Sequence, residues 1–264
     1  MTPKRSSIIL LVRIVLLLIV AGGVAAKVIG KTSEPKSYEV DETIVTLREL
    51  LYADASLDQT LTMFQPDETE FAPEVMAALQ ANDPVAAETA LAKFNNFDDF
   101  SRTLFYWLAM AKTRQMQGNL SAAQTAALQI LKMPELEARI QIQTWSILRE
   151  LGYSPNENEA EKVLGVVAEM GFDEGAAIIA GFADGEARMF LTSGGGIIGE
   201  MRDEGVITAA KALVERAENL TPLLPLETER PLPAPDRIRL VLLTPAGMRA
   251  VDEAVVVGEG DVHH

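Results

Sequence analysis

The hydrophobic period of the chain changes near Lys162, and no other feature restricts the fold as much. Before that point, from Asp41 to Gly152, apolar residues recur at helical spacing. After it they fall into short runs rich in Val, Ile and Ala, bounded by glycine-containing turns. Helices first and strands second make separate layers rather than alternating around a parallel sheet, which predicts the α+β class.

In the first part, Asp41 suits the N-cap of a helix with Ile44, Leu47 and Leu51 on one face. Residues 57 to 69 are less regular, and Pro66 breaks them. Pro73 fits the first turn of a helix running to Leu79. Asn82-Asp83-Pro84 ends it and starts the next, which closes near Phe94. Leu104, Trp107, Leu108 and Ala111 mark a longer helix stopped by Gly118, and Ala123, Ala127, Ile130 and Leu131 mark its successor. Pro134 opens a last helix, with Trp145, Leu148 and Leu151, that ends at Gly152. Residues 82 to 87 align with 118 to 123 at a spacing of 36, a helix–turn–helix period. On these residues the segment resembles the tetratricopeptide repeat family. Trp107, Ala111, Gly118, Ala123 and Pro134 stand near that family's Trp, small residue, turn Gly, Ala and closing Pro. Arg114 and Ala127 depart from it, standing where aromatics are usual, and the earlier copy keeps Ala87, Leu91 and Phe94. The resemblance implies a layer of antiparallel helical hairpins over residues 41 to 152 that presents a surface to a partner protein.

In the second part, residues 163 to 172 and 176 to 182 read as strands, Ala183-Asp184-Gly185 as a hairpin turn, and 186 to 191 as a third strand. Ile197-Ile198 supplies a fourth or a continuation past a bulge. Val206, Ala210, Leu213, Val214 and Ala217 make a helical stripe. A link with Pro222, Pro225, Pro231, Pro233 and Pro235 leads to a strand at 238 to 244, turned by Pro245-Ala246-Gly247 into a partner at 248 to 257. The order predicts a small antiparallel sheet domain over 158 to 257 with one covering helix, followed by a tail at 258 to 264. The runs 163–167, 183–185, 193–196 and 242–247 resemble the C-terminal half of uncharacterised bacterial envelope proteins, a likeness that brings no activity with it.

The N-terminus carries a different signal. Residues 8 to 20 hold twelve Ile, Leu or Val interrupted by Arg13. Each contributes about −0.3 to −0.6 kcal/mol to insertion near a helix centre, against about +2.5 to +3.5 for the arginine, so insertion wins. With residues 21 to 26 the stretch reaches the length of a membrane-spanning helix, with Ile8, Leu11, Arg13, Leu17 and Val20 along it. A secretory signal cleaved near Ala26 is the alternative. Residues 27 to 40 read as a linker. The expected location is the inner (cell) membrane, single-pass, with an extracytoplasmic body, or the periplasm if the leader is cleaved.

Composition removes several chemistries. The net charge is −15, and Lys4, Arg5 and Arg13 are the only charges before residue 27, so the body carries 20 basic against 38 acidic residues. Such a surface repels nucleic acid. Cysteine is absent, and the two histidines are His263 and His264 at the extreme C-terminus. Thiol nucleophiles, cysteine-ligated zinc and internal histidine acid–base chemistry are thereby excluded. Gly194, Gly196 and Gly199 spell G-x-G-x-x-G, but Glu200, Asp203 and Glu204 follow and no parallel βαβ unit does, so no dinucleotide cofactor is expected. Carboxylate clusters such as Asp98-Asp99 and Glu157-Glu159-Glu161 read as solvated surface.

Two surfaces remain as candidate sites. Phe105, Tyr106 and Trp107 are consecutive and cannot all face one side of a helix, which makes Tyr106 and Trp107 candidate contacts for a protein partner. Ser193, Gly194, Gly195 and Gly196 are the candidate turn for a small ligand. The sequence therefore predicts a membrane-anchored scaffold or adaptor, not an enzyme, with no cofactor and no metal. The alternative is a small-ligand sensor using the sheet domain.

Overall fold

The computed structural model describes residues 48, 50–63, 71–94, 97–173, 175–192, 195–197 and 203–254. The anchor residues Ile8, Leu11, Arg13, Leu17 and Val20, together with Ser193 and Gly194, lie outside the described residues. No described helix is long and apolar enough to cross a membrane. The described fold is α+β, and the chain divides into two compact units. One comprises residues 52–160, the other 161–264 together with the residues up to Leu51.

The first unit is helical: α1 Leu57–Met63, α2 Phe71–Gln80, α3 Pro84–Leu91, α4 Phe100–Met116, α5 Leu120–Ile130, α6 Ala138–Glu150 and α7 Glu157–Ala160. α2 packs on α3 and α4 on α5, each pair joined by a tight turn. Small residues allow the close approach: Ala87, Ala111, Ala123 and Ala127 are fully buried. The ends of α2, α4 and α6 share one construction. Asn82, Gly118 and Gly152, 36 and then 34 residues apart, adopt positive φ of 54°, 72° and 78°. At each, the N–H of the next residue reaches the carbonyl five back: Asp83 to Ala78 at 2.9 Å, Asn119 to Arg114 at 2.9 Å, Tyr153 to Leu148 at 2.8 Å. The turn residue bonds three back, to Leu79, Gln115 and Arg149. This is the Schellman arrangement, which satisfies carbonyls that the helix leaves open. Asp83 and Asn119 then cap the following helices by accepting N–H groups of Ala86 and Ala122. Contacts between hairpins recur too. Glu88 on α3 accepts from Arg114 on α4 and from Gln117 just past its end, and Gln124, 36 residues after Glu88, donates from α5 to the Leu151 carbonyl beyond α6. The bonds from Gln117 and Arg114, with the arginine charge, hold the Glu88 carboxyl below the usual range.

Two expectations about element limits are corrected. Pro134 does not open the last helix: Glu135 has φ 53°, and α6 starts only at Ala138. The irregular stretch after residue 57 contains α1, whose buried Leu57, Thr60 and Leu61 follow helical spacing.

Among the described residues, the second unit is built on a seven-stranded antiparallel sheet in the order β4-β3-β2-β1-β6-β7-β5. Its strands are β1 Gly165–Phe172, β2 Gly175–Phe182, β3 Ala187–Leu191, β4 Gly195–Ile197, β5 Leu226–Glu227, β6 Arg237–Thr244 and β7 Gly247–Ala254. The helix α8 Glu204–Glu218, capped by Asp203, lays Leu213, Val214 and Ala217 against Val166, Ala168 and Met170 and their neighbours on one face. The hairpin after β2 turns where expected, with Gly185 at φ 97°. A Cβ on Gly185 would stand 2.5 Å from Ile207 of α8, so glycine there also admits the helix. β5, inside the proline-rich link, is an element the sequence does not announce; two residues carry no readable period.

Candidate functional site

Asp99 caps α4 by accepting the N–H of Arg102 at 2.7 Å, and this fixes where the helix begins. Successive residues on a helix turn by about 100°, so the three consecutive aromatics divide. Phe105 points inward and is fully buried, whereas Tyr106 and Trp107 are half-buried. They do not stand alone. The Tyr106 ring stacks on Phe94 with centroids 4.7 Å apart and planes at 23°. Phe97 meets Phe94 edge-on at 4.4 Å and Tyr106 at 5.3 Å. Trp107 lies 4.9 Å from Tyr106 and 6.3 Å from Phe97. The Arg102 guanidinium carbon is 6.0 Å from the Phe94 ring centre. The Thr103 hydroxyl donates to the Phe97 carbonyl at 3.0 Å and fastens the turn that brings Phe97 over α4.

Each such ring pair contributes about 0.5–1.5 kcal/mol beyond burial, so four rings in mutual contact form a stiff patch. The patch is open to solvent: Phe97 is 52% exposed and Phe100, just beyond it, 38%. Burial raises the Tyr106 hydroxyl above its ordinary pKa, with the Arg114 charge pulling the other way. The surface thus offers flat apolar rings beside a neutral phenol. The sequence indicates Tyr106 and Trp107 but not Phe94 and Phe97. Their three-residue spacing is the available signal, and a pair of aromatics outside a periodic stretch has no pattern that assigns it a face.

Beside α2 and α3 lies an open depression of about 390 Å³ lined by Glu74, Ala78, Asp83, Val85, Thr89 and Lys93. The Lys93–Glu74 ion pair is part of this lining, and Val85 is 71% exposed. It encloses nothing. The glycine turn is placed in part: Gly195 and Gly196 stand in β4, paired with Leu191 and Phe190 of β3. Among the described residues no three His, Cys, Asp or Glu side chains converge as a metal site would require.

A polar cluster occupies the second face of the sheet, opposite α8. Glu169 of the central strand β1 is fully buried there. Arg48, in helix, donates to it through Nε at 2.7 Å and Nη2 at 2.9 Å, and Nη2 also lies 3.4 Å from the Pro231 carbonyl. Arg239 of β6 stands beside Glu169 in register. It bonds Asp252 of β7 at 2.8 Å and the Glu229 carbonyl at 2.9 Å. The proline-rich link is thereby tied down through its own carbonyls. A polyproline ligand offers those carbonyls to its receptor, so this segment is a strap rather than a docking peptide.

No family model matches the chain, nor does any curated protein or solved structure.

Proposed function

We propose that this protein is a scaffold or adaptor, held at the cell membrane by its N-terminal segment, that binds a partner protein through the aromatic corner of its helical unit. The observation that carries this reading is the cluster of Phe94, Phe97, Tyr106 and Trp107, with Phe97 more than half exposed. Rigid aromatics that cost little side-chain entropy to order are the usual anchors of protein interfaces, and a fastened patch has fewer rotamers to lose on binding. The recurring helix ends at 82, 118 and 152 support a tetratricopeptide-like repeat array as the scaffold. The lack of cysteine, and of histidine outside the last two residues, supports binding rather than catalysis.

The test is a photo-reactive phenylalanine placed at Phe97 in the full chain, expressed in its native host, with a second chain carrying it at Leu120 as control. Position 97 should give one discrete adduct that Trp107→Ala weakens, a truncation of the size that removes about 2 kcal/mol or more at an interface centre. No adduct, or the same adducts at both positions, would sink the proposal.

A further inference from the structure

Arg48 and Glu169 are 121 positions apart and meet in two parallel bonds, with the strap carbonyl of Pro231 beside them. We infer that this meeting is a clasp: it fastens the segment carrying Arg48 to the sheet, and it can open while the sheet stays folded.

Glu169 sits among the buried apolar residues Val167, Ile178 and Val241, where a carboxylate is the costly choice and an apolar side chain would serve the sheet as well. What the carboxylate adds is selection. Only a guanidinium presents two N–H groups at the spacing of its two oxygens, so the site accepts Arg48 and rejects an apolar or singly donating substitute. Two features make the clasp releasable. Arg48 belongs to no strand, so its departure leaves every strand pairing in place. Arg239 also remains beside Glu169, held by Asp252 and the Glu229 carbonyl, and its charge lessens the cost of leaving the carboxylate behind.

Hydrogen–deuterium exchange on the full chain tests the clasp. Arg48→Ala and Glu169→Gln should each speed exchange of the peptide covering residues 48–52 by roughly tenfold or more, while β2 and β3 keep wild-type rates. The double variant should be no faster than the faster single one, because both remove the same contact. Should Arg48→Ala fail to fold, Arg48→Lys decides: it keeps the charge but not the paired bonds, and its exchange should lie between wild type and Glu169→Gln. Unchanged exchange at 48–52, multiplying effects in the double variant, or equal acceleration through β1, β2 and β3 would each overturn the proposal.

Discussion

A methyl group on Gly171 would lie 2.2 Å from the carbonyl oxygen of Ala234 and 2.5 Å from that of Pro233. Both obstacles are backbone atoms of the strap, and the strap is tied at this point, since the Asp236 N–H reaches the Gly171 carbonyl at 3.2 Å. Nothing nearby can yield by a side-chain rotation. Gly165, on the same strand, is also crowded, but by the Phe182 ring at 2.8 Å and the Leu243 side chain at 3.3 Å, which can shift. Gly171→Ala should therefore cost about 1–3 kcal/mol or somewhat more, the usual range for overpacking, and Gly165→Ala distinctly less. Urea unfolding of the two variants followed by circular dichroism gives the comparison. Equal midpoints would mean that the strap is not held against β1 as described.

Helix ends are the elements where sequence and structure agree most closely, because their chemistry is local. Gly118 and Gly152 can be read as C-caps, and Asn82 is the other residue type that tolerates a left-handed conformation, so all three turns are legible from residue type alone. The hairpin at Gly185 and the stripe of α8 are legible for the same reason. What escapes reading depends on distance. Nothing near Glu169 in sequence foretells Arg48, and the β1 run around it would be read as apolar core. Phe94 and Phe97 gain meaning only when their rings meet Tyr106 of α4, and Pro134 misleads because Glu135 takes the chain out of helix before α6 starts. The caps also yield a test. No atom lies within 4 Å of a Cβ placed on Gly118, so Gly118→Ala meets only the backbone penalty of its φ, about 1–2 kcal/mol. Asn82→Gly, at the equivalent turn, relieves strain and should stabilise by a few tenths to about 1 kcal/mol. The two tryptophans, Trp107 and Trp145, both lie in the helical unit, so thermal melts followed by their fluorescence report on it directly. Melts that move the same way in both variants would contradict the shared cap geometry.

At the scale of the molecule, charge is unevenly placed: the first 26 residues hold three cations and no acid, and the remainder carries 20 basic against 38 acidic residues. An anionic body gains nothing from an anionic lipid surface, so residence at a membrane would rest on the apolar leader and not on electrostatics. Apolar insertion and electrostatic adsorption respond differently to salt, because screening weakens only the second. On the proposed reading, the full chain should stay with the membrane fraction through a 1 M salt wash and a carbonate wash. Deleting residues 1–26 should move it entirely to the soluble fraction. Mass spectrometry of the mature N-terminus completes the test. A chain that begins within residues 1–5 keeps its anchor, whereas one that begins at Lys27 is a released periplasmic protein and the anchored reading falls. Release by salt alone would instead point to a peripheral attachment, and the apolar run around Arg13 would then need another explanation.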